Sequence, residues 1–248
     1  MKRLWISALL LAAQGVLQSS SSLDDLLRDY ERQPETVAAP KAAKLSVPAA
    51  PSAGASDPWA ALLEGNARFA RGQSSRPHQG PLRRLALAKS QSPTVAVLAC
   101  ADSRVPPELI FDQGLGDLFV VRVAGNVAGP LERASLEYAV EHLHCSLLVV
   151  LGHERCGAVT ASQAAVADPH SADGMSPELK ALLKEIEPAV LGHAGPEGLD
   201  AAVRENAQRS AKRLLEQSAV LGAAVKAGHL QVHAARYDLD SSRVEPLD

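Results

Sequence analysis

The sequence of 248 residues predicts an α/β fold with a mostly parallel central sheet flanked by helices. Three short, continuous apolar runs are typical of strands covered on both faces: TVAVLA at 94–99, LFVVRVA at 118–124 and SLLVVL at 146–151. Segments with helical periodicity lie between and around these runs. Strands that alternate with helices favour a parallel sheet, whose binding sites form beyond the carboxyl ends of the strands.

The elements are expected in the following order along the chain. Apolar residues at helical spacing predict the helices, and continuous apolar runs predict the strands. The predicted elements are helices at 59–70 and 83–89, strands at 94–99 and 118–124, a helix at 131–143, a strand at 146–151, a helix after Glu154, helices at 177–190 and 199–220, and a last strand at 229–237.

Composition excludes several classes of protein. The 25 basic and 28 acidic residues give a net charge of −3, which provides no basic surface for a nucleic-acid backbone. Aromatic residues make up only 3% of the chain, too few for a platform that stacks single-stranded bases. Three cysteines are too few for a disulfide scaffold. We therefore expect no nucleic-acid partner.

Residues 1–22 have the character of a secretory signal peptide. Lys2 and Arg3 precede the apolar run 4–13, which is shorter than the roughly 20 residues that span a bilayer, and a serine-rich stretch follows. A buried or interfacial helix is the alternative interpretation. We expect an exported, periplasmic protein that has no membrane contact once the signal is removed.

Residues 23–56 are predicted to be a linker or an N-terminal arm. The segment 23–30 has the pattern of a short amphipathic helix, and 34–56 is rich in Ala, Pro and Ser. It is either a solvated tether or an arm that packs on a second subunit. The folded catalytic domain is expected over 57–248.

Metal-ligating residues follow two of the predicted strands. The first strand leads into Cys100, with Asp102 and Arg104 close behind, and the third leads into His153 and Cys156. Two sulfurs and one imidazole are sufficient for the three protein ligands of a catalytic zinc site, which leaves a fourth position open. A position in the first turn of the next helix would favour the thiolate of Cys156. Cys145 is expected to be a buried small apolar residue and not a ligand.

Two other interpretations of these residues remain. A disulfide between Cys100 and Cys156 is plausible in an exported protein, but it leaves His153 and Asp102 unexplained. A closed structural zinc site with Asp102 as fourth ligand is the second alternative. Arg104 argues against it, because a guanidinium beside a ligand carboxylate competes with the metal for that carboxylate.

The two motifs resemble those of the β-class carbonic anhydrases. CADSRV at 100–105 followed by GHERCG at 152–157 carries the resemblance. Further similarity lies in the opening helix pattern at 59–72, in DLFVVRVAGNV at 117–127, in SLEYAV at 135–140 and in ARYDLDSSRV at 235–244. The resemblance covers most of the chain after residue 58. It implies an α/β fold that assembles as a homodimer or a higher even-numbered oligomer, with active sites at the dimer interface.

The resemblance also implies an activity and a set of roles. The reaction is the reversible hydration of carbon dioxide to bicarbonate and a proton by zinc-bound hydroxide. Cys100, His153 and Cys156 would hold Zn²⁺. Asp102 would orient the hydroxide, or bind the metal as a fourth ligand whenever Arg104 no longer restrains it.

The substrate pocket is implied by the same resemblance. Gln91 matches a glutamine that donates a hydrogen bond to bound substrate, and Phe119 and Tyr138 match apolar and aromatic pocket positions. Val97 stands where some family members carry a tryptophan of a regulatory bicarbonate site, although Arg122 matches that site's arginine. This departure puts bicarbonate regulation in doubt.

Two other functions fit the same scaffold. Hydrolysis of carbon disulfide or carbonyl sulfide would use the same nucleophile on a related heterocumulene. A non-enzymatic zinc-binding assembly module would need neither Asp102, Arg104 nor Gln91, and their presence counts against it.

Overall fold

The computed structural model describes residues 57–247. The predicted signal peptide at 1–22 and the predicted arm at 23–56 lie outside the described residues and stay predictions. None of the helices between residues 57 and 247 combines the length and the apolar character that a membrane crossing requires.

A five-stranded sheet forms the centre of the described part of the chain, in the order β2-β1-β3-β4-β5. The first four strands are parallel, and only β5 pairs antiparallel, at the edge beside β4. The strands are β1 Val95–Ala99, β2 Leu118–Arg122, β3 Leu147–His153, β4 Gln231–Tyr237 and β5 Val244–Pro246. Every residue of β1 and β3 is buried, as expected for central strands covered on both faces. The predicted fold class is confirmed.

Helices connect the strands and cover the sheet. In chain order they are α1 Pro58–Ala70, α2 Pro81–Leu87, α3 Pro107–Ile110, α4 Pro130–Glu141, α5 Gly157–Ala167, α6 Pro177–Val190, α7 Leu199–Gln217 and α8 Ala219–Lys226. Proline in the first turn of several of them fixes the backbone angle that a helix needs at its start, as at α1, where the Asp57 side chain also accepts a hydrogen bond from the backbone N–H of Trp59.

Side chains from the two faces of the sheet form two separate apolar clusters. Val95, Val97 and Ala99 of β1 belong to the first cluster, together with Cys100 and Cys156. Ala96 and Leu98 belong to the second, which also contains Cys145 and is packed against Phe119. Because successive side chains of a strand point to opposite faces, the zinc-motif cysteines and Phe119 lie on different sides of the sheet.

Several predicted boundaries differ from the structure by about two residues, and two of the differences have a clear physical cause. Strand β2 ends at Arg122 and not at 124, because Ala124–Asn126 form a 3₁₀ turn in which Gly125 has a φ of 69°. The predicted helix 199–220 is two helices, since Ser218 has an extended backbone and its hydroxyl accepts the backbone N–H of Leu221 at the start of α8. The short helix α3 and the edge strand β5 were not predicted.

Candidate metal centre

Three potential ligands converge at the carboxyl ends of neighbouring strands. Strand β1 ends at Ala99, which is paired with Leu151 of β3, so that Cys100 leaves the sheet beside the end of β3. His153 is the last residue of β3, which extends beyond the predicted end of that strand at 151. Cys156 is the N-cap of α5 and not, as predicted, a residue of its first turn. One ligand atom from each of Cys100, His153 and Cys156 lies within 4.8 Å of the others, and all three residues are buried.

The His153 ring is oriented for metal binding. Its Nδ1 lies 2.9 Å from the carbonyl oxygen of Glu154; because a carbonyl can only accept, Nδ1 carries the proton and donates a hydrogen bond to that oxygen. This tautomer leaves a lone pair on Nε2, which is buried and has no hydrogen-bond partner. A buried nitrogen without a partner, next to two sulfurs, fits a zinc ion that accepts its lone pair.

The two thiols of the group influence each other's ionisation. Cys100, Cys145 and Cys156 are all free, so the structure contains no Cys100–Cys156 disulfide. The hydrogen bond from Cys156 lowers the pKa of the Cys100 thiol to about 4, against the opposing effect of burial. The same contact, together with burial, raises the pKa of Cys156. The backbone N–H of Gly125 also donates to the Cys100 sulfur at 3.3 Å, so the site stabilises a thiolate of the kind that binds zinc.

Asp102 lies beside the ligand group and is held by Arg104. The guanidinium donates from Nε to Oδ1 at 2.9 Å and from Nη2 to Oδ2 at 2.7 Å, a bidentate pair. These hydrogen bonds hold the pKa of Asp102 below its usual range. Oδ2 of Asp102 lies 3.9 Å from Nε2 of His153. The ionised carboxylate of Asp102 therefore lies beside the ligands, while both of its oxygens accept hydrogen bonds from Arg104.

Arg122 binds the backbone that carries these residues. Its Nε donates to the carbonyl of Cys100 at 3.0 Å and its Nη2 to the carbonyl of Asp102 at 2.6 Å. The sequence pattern had connected Arg122 only with a regulatory anion site. No sequence signal identifies this role, because it depends on the register that places Arg122 opposite Ala99.

The predicted pocket residues do not join the ligand group within one chain. Gln91 is exposed and precedes β1, whereas Cys100 follows it, so the strand separates them by about 17 Å. Phe119 and Tyr138 pack together, with ring centroids 6.3 Å apart. Phe119 lies on the side of the sheet opposite the cysteine pair, and Tyr138 belongs to helix α4, whose Leu136 and Ala139 pack on that same side.

Comparison with known proteins decides the family. The sequence profile described as carbonic anhydrase matches residues 95–244, which include the whole ligand group. The chain belongs to the β-class carbonic anhydrase family.

Curated relatives and solved structures agree with this β-class carbonic anhydrase assignment. The chain is 39% identical over 187 residues to carbonic anhydrase 2 of Mycobacterium tuberculosis, an alignment that covers 75% of this chain and 89% of the relative. It is 39% identical over 189 residues to the carbonic anhydrase of Mycolicibacterium smegmatis, covering 75% and 90%.

Two solved β-carbonic anhydrases share the fold. The enzyme CafA of Aspergillus fumigatus superposes with a TM-score of 0.60 at 27% identity, covering 77% of this chain and 91% of that one. The Coccomyxa enzyme gives a TM-score of 0.59 at 27% identity, covering 75% and 84%. Family membership confirms the expected enzyme class and its zinc cofactor, and Cys100, His153 and Cys156 are the group that fits the ion.

Proposed function

We propose that this protein catalyses the reversible hydration of carbon dioxide to bicarbonate and a proton, with zinc held by Cys100, His153 and Cys156. The observation that carries the proposal is the buried ligand group with the Asp102–Arg104 pair beside it, in a chain of the carbonic anhydrase family. A zinc site that serves only assembly has no use for an ionised acceptor restrained next to its ligands.

The chain's own residues supply orientation and charge. When bound, zinc supplies Lewis acidity that makes hydroxide available from water near neutral pH. Asp102 accepts a hydrogen bond from the nucleophile and so directs a lone pair towards the carbon of the substrate. Arg104 keeps the Asp102 carboxylate ionised and hydrogen-bonded, because its Nε donates to one oxygen and its Nη2 to the other. The carbonyl of Glu154 accepts a hydrogen bond from Nδ1 of His153, which directs Nε2 towards the metal position.

The substrate pocket, in this proposal, is completed by a second copy of the chain. Gln91, Phe119 and Tyr138 lie away from the ligand group of their own chain, and they reach a zinc site only if that site belongs to a partner. Support comes from helix α4, on which Leu131 is 79% and Tyr138 is 47% exposed, one face of apolar residues that a partner would cover. The proposed assembly is a homodimer or a higher even-numbered oligomer.

The test is carbon dioxide hydration by the full chain, measured by stopped flow with zinc bound and after chelation. We expect about one zinc ion per chain and loss of activity with the metal. Cys100→Ala, His153→Ala and Cys156→Ala should each lose zinc and stability, because metal binding is coupled to folding.

Cys145→Ala is the matched control. Cys145 is buried, and burial raises the pKa of its thiol to about 12, so this variant should keep its zinc. Full zinc content in all three ligand variants, or loss of zinc in Cys145→Ala, would contradict the ligand assignment. Carbonyl sulfide and carbon disulfide offered to the same preparation distinguish the alternative hydrolase activity, which would exceed the hydration rate if it were the main reaction.

Export to the periplasm is also proposed, on the sequence of residues 1–22 alone. The support is the charged start at Lys2 and Arg3 before the apolar run 4–13. N-terminal sequencing of the protein recovered from a periplasmic fraction tests it, and an intact residue 1 in a cytoplasmic fraction would contradict it.

A further inference from the structure

One arginine is buried among carboxylates at the end of β4. The side chain of Arg236 is only 7% exposed and forms ion pairs with Asp200, Asp238, Glu154 and Glu245. The Nη1–Oδ2 distance to Asp238 is 3.0 Å, and the Nη2–Oε1 distance to Glu154 is 3.9 Å. A buried guanidinium is costly unless it is paired, so this arrangement is fixed in place by several partners.

Glu154 connects this cluster with the metal ligands. Its side chain accepts the backbone N–H of Leu239 at 3.0 Å, and its own backbone N–H donates to the carbonyl of Tyr237 at 2.9 Å. Its carbonyl oxygen accepts the Nδ1 proton of His153. Glu154 is therefore held at its side chain and at its backbone. Its carbonyl in turn holds the imidazole ring of His153, one of the proposed zinc ligands.

Strand pairing puts the cluster in direct register with the ligand. Tyr237 is opposite His153 in the β3–β4 pair, and Arg236 is opposite Gly152. An outer hydrogen bond sets the tautomer and the orientation of a metal-binding imidazole, and its loss typically lowers metal affinity 10- to 100-fold. Whatever fixes the carbonyl of Glu154 consequently fixes the direction of the His153 lone pair.

We propose that Arg236 is a positioning residue for the zinc ligand His153 and acts through Glu154. The inference rests on the proposed zinc site, and it concerns residues that contact neither substrate nor metal. Arg236 keeps the Glu154 side chain against β4, so that the Glu154 carbonyl remains under the Nδ1 proton of His153.

A neighbouring arginine offers a matched control. Arg204 donates to Asp200 at 2.8 Å and to Glu245 at 2.7 Å, two of the carboxylates that also pair with Arg236. Within residues 57–247, the ion pairs of Arg204 are with Asp200 and Glu245 and not with Glu154. Removing either arginine takes a cation from Asp200 and Glu245. Only the loss of Arg236 also takes one from Glu154, whose side chain then keeps Arg155 at 3.2 Å and the backbone N–H of Leu239 at 3.0 Å.

The experiment measures zinc affinity by competition with a fluorescent chelator, and the absorption spectrum of the cobalt-substituted protein. Arg236→Gln and Glu154→Gln should each weaken zinc binding about 10-fold and change the cobalt spectrum, while Arg204→Gln stays within about twofold of the wild type. The double variant Arg236→Gln/Glu154→Gln should lose little more than either single variant, because both act by one route. Arg236→Lys should restore part of the affinity, since it keeps the charge but not the planar guanidinium.

Several results would overturn the inference. These are wild-type zinc affinity and cobalt spectrum in Arg236→Gln, an equal loss in Arg204→Gln, or losses that add fully in the double variant. If Arg236→Gln fails to fold, Arg236→Lys and Glu154→Gln give the same comparison with Arg204→Gln. Failure of the wild type to bind zinc is a different result and would overturn the proposed function instead.

Discussion

At the scale of single residues, we expect the contact between Asp102 and Arg104 to determine which group has access to the metal. Arg104 is half exposed, and its bidentate pair is the restraint on a carboxylate whose Oδ2 is 3.9 Å from Nε2 of His153. A carboxylate released from this pair is a strong ligand for zinc and stands next to the other ligands. The pair therefore protects the open position.

Arg104→Ala should keep its zinc and lose activity. We expect unchanged metal content and a fall in hydration rate of about 100-fold or more, since the freed Asp102 occupies the position that the nucleophile needs. Metal analysis and stopped-flow rates from pH 6.5 to 9 check this. Asp102→Ala is the companion variant: it should also keep zinc and lose rate, but without a new ligand. Wild-type rates in Arg104→Ala at every pH would contradict the role of Arg104 in keeping Asp102 off the metal.

A second carboxylate stabilises the fold through hydrogen bonds to helix α1 and to the segment that follows it. Asp112 is buried, has a φ of 48°, and accepts hydrogen bonds from Arg68, Ser75 and Arg76. These bonds outweigh the effect of burial and lower the pKa of Asp112 from 3.8 to about 2. A carboxyl group whose pKa is lower in the folded state contributes stability above its unfolded pKa and loses it as the pH falls.

Asp112→Asn should therefore cost about 2 kcal/mol of unfolding free energy at pH 7. Asparagine tolerates the left-handed backbone, so the change removes charge without adding strain. The difference from the wild type should shrink to roughly half near pH 3 as the wild-type carboxyl group gains its proton. Urea unfolding of both proteins at pH 7, 5, 4 and 3 measures this. A difference that is constant over this range would show that charge is not the cause.

The ligand set could be predicted at this scale, and its supports could not. Cys100, His153 and Cys156 stand in short motifs after strands, so residue types and spacing alone point to zinc. The contacts of Arg122 with the carbonyls of Cys100 and Asp102 join partners that are about 20 residues apart, and those of Arg236 reach Glu154 across about 80. Such pairings follow from strand register, which sequence periodicity does not give.

At the scale of elements, α1 packs unusually close to the loop after α3. A methyl group added at Gly65 would lie 2.0 Å from the carbonyl oxygen of Phe111, a backbone atom that cannot move aside cheaply. The sequence predicts helix α1 correctly but gives no reason for a glycine in its interior. The reason is the close contact between α1 and the loop after α3, which can be recognised only once the structure shows Phe111 beside Gly65.

Gly65→Ala should lower the unfolding free energy by about 1–3 kcal/mol, although alanine is the better helix former. Gly192→Ala is the control, because Gly192 lies outside the left-handed backbone region and has open space where its side chain would be added. Urea unfolding of the two variants makes the comparison. Equal stability of the two would mean that α1 can move away from Phe111 at little cost.

Element ends were harder to predict than the elements themselves. The apolar runs identify β1, β2 and β3, since their burial requires continuous apolar residues. The division between α7 and α8 depends on one side chain, Ser218, which caps α8 and also donates to Glu137 of α4. A capping serine is a common signal, but within a long apolar-periodic segment it competes with the pattern around it.

At the scale of the whole molecule, the proposed assembly links oligomeric state with activity. Leu131→Glu places a charge on the exposed apolar face of α4 and should shift the protein towards monomer, with a parallel loss of hydration rate and no loss of zinc. Leu191→Glu is the control, because Leu191 is 64% exposed at the end of a different helix, α6. Sedimentation velocity, zinc content and rate decide the outcome. A fully active monomer would contradict the shared site.

At this scale the fold and the zinc ligands could be predicted from the sequence. Whether a single chain contains the whole substrate pocket could not. Sequence similarity brings Gln91, Phe119 and Tyr138 to the same pocket as the ligands, yet a single chain keeps them apart. Only the position of each residue relative to the sheet shows that they are apart, and this separation is the reason for proposing that two chains form the pocket.

The ligand positions along the chain also set an order of events during folding. His153 and Cys156 are close in sequence, and as two ligands they can bind zinc weakly as soon as the turn between them forms. The third ligand comes from about fifty residues earlier and arrives only when β1 has paired with β3. Closing that loop costs conformational entropy. We therefore expect high zinc affinity to be gained together with the pairing of β1 with β3, so that binding of the ion reports when this central strand pair has formed.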